Sequence, residues 1–281
     1  MDGFSMNINW NEIWKNQLIQ SSMPKPDAYN NWWDSVESAR RYLKDYGGGE
    51  EEGFDRIAWS IDQLPLQSDS RILEIGSGPG VLSIPIAKKV SHVTVVDPSA
   101  GMLDVLHEYA DREKVSNIRS IQKRWEDITD EDISSTFDVV FASMSLGMPE
   151  IQAAIEKMNR YSSGSVILIW FADEPGFEKI YRFILPEITG MAHSPMPRAD
   201  ILFNLLYSMG LFPEVTYGKF SLSQKFADEQ EISDFFYYHH HIRYQKEAEV
   251  FRRYVNEHMK KTESGFEHEE NYHCMVLRWN T

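Results

Sequence analysis

A glycine-rich turn between two apolar runs constrains the fold of this chain more than any other feature. Residues 71–80 read RILEIGSGPG, and residues 93–97 read VTVVD. Short apolar runs of this kind are typical of parallel strands that are covered on both faces. Gly76, Gly78 and Gly80 lack side chains where the backbone has to turn sharply and a ligand has to approach closely. The pattern predicts a strand–loop–helix–strand unit.

An acid ends the second strand of this unit. Asp97 follows the loop by about 20 residues, where a carboxylate can accept hydrogen bonds from both hydroxyls of a ribose. The unit is therefore expected to bind an adenosine-containing cofactor. A dinucleotide fingerprint reads G-x-G-x-x-G, but its last position falls on Val81 here. An NAD-dependent oxidoreductase is thus disfavoured, although it stays an alternative.

The glycine spacing, with Glu74 two residues before the first glycine, resembles the cofactor motif of class I S-adenosylmethionine-dependent methyltransferases. The resemblance implies S-adenosyl-L-methionine as the cofactor, with Glu74 near its methionine end and Asp97 on its ribose. It also implies an α/β fold with a Rossmann-like, seven-stranded, mostly parallel sheet and helices on both faces. The candidate cofactor-binding residues are Glu74, Gly76, Ser77, Gly78, Gly80, Asp97, Pro98, Trp125, Glu126 and Ala142.

The chain departs from the family pattern after the third strand. Family members usually place an acid there, which reads the adenine amino group, but the aligned position is Arg124. A guanidinium cannot accept a hydrogen bond from an exocyclic amine. Glu126 or Asp127 is one substitute for the missing acid. Adenine stacking on Trp125 together with main-chain contacts is the alternative, and packing of Trp125 against a helix is a third interpretation.

The rest of the chain supplies further strands at the intervals that the family requires. Apolar runs predict a third, a fourth and a fifth strand at 118–122, 137–142 and 165–171. Residues 212–217 and 272–279 are the candidates for the last two strands, which pair antiparallel in this family. These strands complete the expected seven.

Segments outside this core are expected to be largely helical. We assign 1–65 to an N-terminal helical extension or lid, and 66–175 to the cofactor-binding core. Residues 176–210 are predicted to be a helical insertion. Residues 211–281 return to the core and carry a second helical insertion, 224–268. Both insertions are expected at or beside the carboxyl edge of the sheet, where open α/β folds bind ligands.

Three helical patterns in the N-terminal extension are rich in aromatic residues. In many small-molecule methyltransferases such helices cover the cofactor. Trp10, Trp14, Trp32 and Trp33 would then be placed to stack on the acceptor or on the sulfonium. Packing against the sheet is the simpler interpretation for any one of these rings.

The charge of the chain narrows the choice of acceptor. A formal net charge of −15 disfavours nucleic acid as a substrate, because neutralisation of phosphates dominates that affinity. No apolar run is long enough to span a membrane, and the polar N-terminus indicates no signal peptide. The single cysteine, Cys274, excludes an intramolecular disulfide framework, so the cytoplasm is the expected compartment.

Histidines are the candidates for a general base, at His193, His239, His240 and His241. The last three are adjacent and would point in different directions on a helix. No metal-ligand spacing is present in the sequence, so no metal site is expected. The catalytic residue stays unassigned, because in an in-line displacement the nucleophile belongs to the acceptor.

The expected function is S-adenosylmethionine-dependent methyl transfer to a small molecule. The protein has to align a nucleophile behind an already electrophilic methyl group and to exclude water. The Trp, Tyr, Phe and Met residues outside the core favour an apolar or aromatic acceptor, held between the N-terminal helices and the two insertions. The alternatives are a protein that binds the cofactor without turnover and a methyltransferase acting on a protein side chain.

Overall fold

The computed structural model describes residues 8–21, 34–46, 55–190, 192–240 and 244–281. The strands are β1 Arg71–Ile75, β2 His92–Val96, β3 Ile118–Ile121, β4 Phe137–Ser143, β5 Ser162–Phe171, β6 Glu214–Phe226, β7 Lys260–Thr262 and β8 Gly265–Asn280. The helices are α1 Trp10–Ser21, α2 Val36–Tyr46, α3 Asp55–Asp62, α4 Ser83–Ala87, α5 Ala100–Glu113, α6 Ile151–Tyr161, α7 Gly176–Thr189, α8 Ala199–Ser208, α9 Glu229–His240 and α10 Tyr244–His258. The eight strands form one sheet in the order β3-β2-β1-β4-β5-β8-β6, with β7 paired to β8.

The first five strands form the predicted parallel part of the sheet. β1 pairs with β2 and β4, β2 pairs with β3, and β4 pairs with β5, all in parallel. Ile72 and Val139 pack on one face, and Leu73 and Val140 pack on the other. Helices α3, α4 and α5 cover the first face, while α1, α6 and α8 cover the second. The Rossmann-like fold with helices on both faces is confirmed.

The C-terminal strands are longer than the sequence predicts. β8 pairs antiparallel with both β5 and β6, as expected. However, β6 and β8 contain 13 and 16 residues, because β8 stays paired with β6 upstream of Tyr272 and so continues past the last residue of β5, Phe171. The outer parts of the predicted helical insertion 224–268 are therefore strand, and β7 adds a short eighth strand to the predicted seven.

The helices of the two insertions pack in different places. Leu202 and Leu206 of α8 lie in the main core beside Trp14 of α1. This helix is thus part of the core and not the pocket wall that we expected from the insertion. Helices α7, α9 and α10 form an apolar cluster of their own, with Ile184 and Phe236 at its centre. Many of the aromatic side chains outside the core therefore pack on one another.

The described part of the N-terminal extension packs on both faces of the sheet. Trp14 is fully buried, and its Nε1 donates a hydrogen bond to Met148 O at 2.9 Å. This ring packs in the core and is not open for stacking on a ligand. Ala39 of α2 packs against α5 on the other face, whereas Trp32 and Trp33 lie outside the described residues. No helix among the described residues is long and apolar enough to cross a membrane.

Candidate active site

The glycine loop leaves β1 at the carboxyl edge of the sheet. Gly76, Gly78 and Gly80 have φ angles of 72°, 53° and 86°, which favour glycine. A Cβ at Gly76 would lie 2.3 Å from Ser145 Cβ, so the loop packs closely on the segment that follows β4. A Cβ at Gly78 would meet no atom within 4 Å. The space beside Gly78 is thus open to a ligand.

Two buried carboxyl groups flank this loop. Glu74 is 3% exposed and accepts a hydrogen bond from Ser83 Oγ at 2.5 Å. Asp97 accepts hydrogen bonds from the backbone N–H groups of Gly78 at 2.8 Å and Ser99 at 2.9 Å, one on each carboxylate oxygen. Each oxygen of Asp97 keeps a further lone pair. The side chain is therefore able to accept hydrogen bonds from ribose hydroxyls.

Burial raises the pKa of both carboxyl groups. Loss of solvent raises the pKa of Glu74 to about 8, although the hydrogen bond from Ser83 acts against it. The pKa of Asp97 is also raised by burial, while its two backbone hydrogen bonds lower it. Glu74 therefore keeps its proton near neutral pH until a cationic group comes beside it.

The end of β4 completes the edge. Ala142 is fully buried and pairs with Ile75 of β1. Met144 has a φ of 55°, an uncommon left-handed conformation for a residue with a side chain. Ser145 Oγ then donates a hydrogen bond to Ile75 O at 2.5 Å, which ties this turn to the glycine loop. The ends of β1, β2 and β4 thus lie together at the carboxyl edge of the sheet, where open α/β folds bind ligands.

The remaining predicted loop residues have different environments. Ser77 is buried, and a Cβ at Gly80 would lie 3.1 Å from side-chain atoms of Ile84 and Leu106. Gly80 therefore allows close packing of the loop on α4 and α5. Pro98 is exposed directly after β2. Of these residues, Pro98 has the surface that a ligand can reach.

The structure of the turn after β3 contradicts the prediction that adenine stacks on Trp125. Trp125 is 3% exposed, its Nε1 donates a hydrogen bond to Ala154 O at 3.1 Å, and its ring contacts Tyr161 edge-on. The ring is held in the core under α6, so it is not available for stacking on adenine. Arg124 and Glu126 are exposed. Glu126 and main-chain contacts stay the candidates for binding adenine.

The histidines proposed as bases lie away from the glycine loop or outside the residues that the structure describes. His193 is buried between α7 and α8, with its Nε2 3.7 Å from Glu178 Oε2. His239 and His240 are the last residues of α9, and His241 lies outside the described residues. In the part of the chain that the structure describes, no group of three His, Cys, Asp or Glu side chains is arranged to hold a metal ion.

Two charged residues that the sequence reasoning missed are also buried. Arg56, in the first turn of α3, is 8% exposed, and no described carboxylate pairs with it. The side chain of Glu270 on β8 is 14% exposed and likewise has no described Lys or Arg partner. For Glu270 the missed signal was the period of two in His268, Glu270 and Tyr272, which places them on one face of a strand. Arg56 had no comparable signal.

Sequence comparisons agree with this geometry. Residues 72–163 match the family model of a methyltransferase domain. An uncharacterized protein of Haemophilus influenzae is 31% identical over 156 residues, which are 54% of this chain and 54% of that protein. The chain thus spans about half the length of this curated relative. A probable ribosomal RNA small subunit methyltransferase A of Methanosphaera stadtmanae is 34% identical over 62 residues, 22% of this chain and 23% of that protein.

Solved structures share the fold. The YcgJ protein of Bacillus subtilis has a TM-score of 0.56 at 13% identity, covering 81% of this chain and 98% of that one. The magnesium protoporphyrin IX methyltransferase of Synechocystis, solved with bound SAH, has a TM-score of 0.52 at 14% identity, covering 90% and 97%. These structures share the Rossmann-like methyltransferase fold, and the match of residues 72–163 to a methyltransferase domain covers the glycine loop and the first four strands.

Proposed function

We propose that this protein transfers a methyl group from S-adenosyl-L-methionine to a small molecule. The observation that carries the proposal is the open space at Gly78 in a glycine loop that has the buried carboxyl groups of Glu74 just before it and of Asp97 hydrogen-bonded to Gly78 N. The cofactor supplies an electrophilic methyl group on a sulfonium, so the protein needs no nucleophile of its own. Asp97 orients the ribose, and Glu74 lies beside the methionine end, where an ammonium group favours its ionised form.

Arg56 fits the remaining charged group of the cofactor. Burial acts to lower the pKa of Arg56, while the charges of groups such as Tyr42, Tyr272 and Cys274 raise it. A buried cation without a carboxylate partner is costly, and it is stabilised by an anionic ligand group. Helix α3 packs on the same face of the sheet as α4, which carries the Ser83 partner of Glu74. We therefore assign Arg56 to the methionine carboxylate.

The proposed acceptor is small and the proposed compartment is the cytoplasm. The net charge of −15 opposes the approach of a polyanion such as RNA or DNA. Small-molecule sites are built from apolar walls with a few polar groups. Phe171, the last residue of β5, contacts Tyr272 of β8 edge-on, and Tyr272 contacts Phe220 of β6 at a tilt, so the three rings offer such a wall. The free thiol of Cys274 supports a reducing compartment.

Calorimetry followed by a transfer assay tests this proposal. We expect S-adenosylmethionine and S-adenosylhomocysteine to bind to the purified chain and NAD not to bind. Labelled methyl groups should then appear on a member of a panel of small amines, alcohols, thiols and carboxylic acids. Binding of NAD instead would point to an oxidoreductase, and cofactor binding with no transfer would point to a binding protein. Transfer to RNA, DNA or protein alone would contradict the proposed class of acceptor.

A further inference from the structure

One buried carboxyl group on β8 has no partner for its charge. The side chain of Glu270 is 14% exposed, so a ligand can reach it. Among the described residues, no lysine or arginine nitrogen lies within 4.0 Å of its oxygens, and none donates a hydrogen bond to them. Buried carboxylates are normally paired or hydrogen-bonded. Glu270 differs in this respect from Glu74 and Asp97, which both accept hydrogen bonds.

The titratable groups near Glu270 leave its charge uncompensated. His268 Nδ1 lies 3.7 Å from Glu270 Oε1, and the charge of Glu270 interacts with those of Tyr46 of α2, Lys179 of α7, Tyr254 of α10 and Tyr272 of β8. Burial, and with it the charge of Glu270, raises the pKa of all three phenols, so they stay neutral. Lys179 Nζ donates a hydrogen bond to Asn271 O at 3.2 Å. Loss of solvent raises the pKa of Glu270 to about 7, although Lys179 acts against the rise.

His268 does not supply the missing cation. Burial lowers the pKa of His268 to about 4, so the imidazole is neutral. Its Nε2 lies 3.1 Å from Tyr254 Oη, within hydrogen-bond distance. Its Nδ1 is buried, lacks a described hydrogen-bond partner and lies 3.7 Å from Glu270 Oε1. Two unsatisfied polar groups therefore lie side by side.

We propose that Glu270 binds the methyl acceptor and that the acceptor is an arylalkyl amine bound as an ammonium ion; this inference rests on the proposed methyl transfer. An ammonium ion supplies the cation that the buried carboxylate lacks. Tyr254, whose Oη lies 3.1 Å from Nε2 of His268, and Tyr272, two residues along the same face of β8, supply aromatic rings of the kind that attract a cation and pack against an aromatic group. A neutral alcohol would leave the carboxylate unpaired, and an acidic acceptor would be repelled by it.

The position of Glu270 agrees with a role beside the cofactor. β8 lies three strands from β1 in the sheet, about 14 Å at the usual strand spacing. Glu270 lies beyond the carboxyl end of β5, because Cys274 of β8 pairs with Phe171. Helix α2 connects the two places. Its Ala39 packs on α5, which begins just after Asp97, and the charge of Glu270 contributes to the raised pKa of its last residue, Tyr46.

Glu270 also accepts the proton that the ammonium group has to lose before methyl transfer. An ammonium nitrogen has no lone pair, so it first gives one proton to the Glu270 carboxylate. The nitrogen lone pair then forms the bond to the methyl carbon while the carbon–sulfur bond breaks, and its electron pair returns to sulfur, which becomes neutral. The N-methylammonium product keeps the positive charge, and Glu270 releases its proton to solvent.

A matched pair of variants and a matched pair of ligands test the inference. Glu270→Gln removes the charge and keeps the shape. Glu269→Gln is the control, because Glu269 is exposed on the other strand face and accepts a hydrogen bond from Ser221 Oγ. Calorimetry compares phenethylamine with 2-phenylethanol in the presence of S-adenosylhomocysteine. The wild type and Glu269→Gln should prefer the amine by about tenfold, and Glu270→Gln should lose this preference.

Turnover provides the second readout. Glu270→Gln should lower kcat/KM for the amine about 100-fold and remove the rise in rate near neutral pH, with the cofactor Kd unchanged within about twofold.

If Glu270→Gln does not fold, Gly176→Ala replaces it, because the new Cβ would lie 2.2 Å from Glu270 Cδ and displace the carboxyl group. Equal binding of amine and alcohol by the wild type, or an amine preference that survives in Glu270→Gln, overturns the inference. Loss of cofactor binding or of all transfer in the wild type overturns the proposed function instead, and the binding comparison still decides whether Glu270 holds amines.

Discussion

The buried charged groups at the two ends of the carboxyl edge of the sheet differ in whether the protein itself supplies their partners. At the glycine loop, Asp97 accepts two backbone hydrogen bonds and Glu74 accepts one from Ser83. At the β8 end, Glu270 and Arg56 have no described partner of opposite charge. The first end is built within one strand–loop–helix–strand unit and is preorganised. The second is assembled from α2, α3 and β8, and its charges are stabilised by ligand groups.

A side chain in the glycine loop should have the largest effect on the preorganised end. Gly78→Val is expected to weaken S-adenosylmethionine binding more than about 100-fold, because the side chain fills the open space beside the loop. Gly210→Val is the matched control, since Gly210 also has a positive φ, 77°, and a Cβ added there would meet no atom within 4 Å. Calorimetry measures affinity, and circular dichroism checks the fold. Native affinity for S-adenosylmethionine in a folded Gly78→Val protein would show that the loop is a structural turn and does not bind the cofactor.

Removal of the ribose acceptor should have the next largest effect. Asp97→Ala is expected to cost about 1.5–3 kcal/mol of cofactor binding free energy, the range for hydrogen bonds to charged groups. Asp138→Ala is the control, because Asp138 also accepts a backbone hydrogen bond, from Arg71 N at 2.7 Å, at the opposite end of the sheet. Both variants are titrated with S-adenosylmethionine. If Asp97→Ala and Asp138→Ala bound S-adenosylmethionine with equal affinity, Asp97 would not be a cofactor-binding residue.

Substitution of Arg56 tests whether the β8 end of the edge also binds part of the cofactor. Arg56→Met should weaken S-adenosylmethionine binding about tenfold, because it removes a charge-assisted contact with the methionine carboxylate. Decarboxylated S-adenosylmethionine lacks that carboxylate, so its affinity should be the same for the wild type and the variant. An equal loss for both ligands would mean that Arg56 supports the fold or the acceptor and does not read the carboxylate.

Glu74 should affect folding stability, rather than binding, through the pH dependence of its carboxyl group. Its folded-state pKa is raised from 4.5 to about 8, so its stabilising contribution is present below pH 4.5 and is lost as the pH rises towards 8. Between about pH 5 and pH 8, the wild type should lose on the order of 2–4 kcal/mol of unfolding free energy relative to Glu74→Gln. Urea unfolding at both pH values measures this difference.

Glu108 provides the control with the opposite sign. The hydrogen bond from Arg40 lowers the pKa of Glu108, so its contribution is present above pH 4.5 and is lost as the pH falls. Glu108→Gln should therefore leave the decline of the wild type between about pH 5 and pH 8 in place. Parallel pH curves for the wild type and Glu74→Gln would show that Glu74 titrates normally.

The sequence by itself determined the strand–loop–helix–strand unit and its two carboxyl groups. All of these lie within residues 71–97, and each has a local cause: apolar runs for the strands, glycines for the turn and acids at the strand ends. The fold class was implied by the resemblance of this unit to a known family, whose further strands the chain supplies at the expected intervals. The observed pairing confirms the parallel strands and the antiparallel last pair.

Only the tertiary structure decided which side chains are buried and which charges lack partners. Trp125 was a candidate for stacking on adenine until its indole was found under α6, bonded to Ala154 O. Arg56 and Glu270 are more than 200 positions apart in the chain, and they belong to the same side of the molecule because α3 packs on the face of the sheet that carries Cys274 and Val276 of β8. Burial and charge pairing depend on residues that are distant in sequence, so no local pattern reports them.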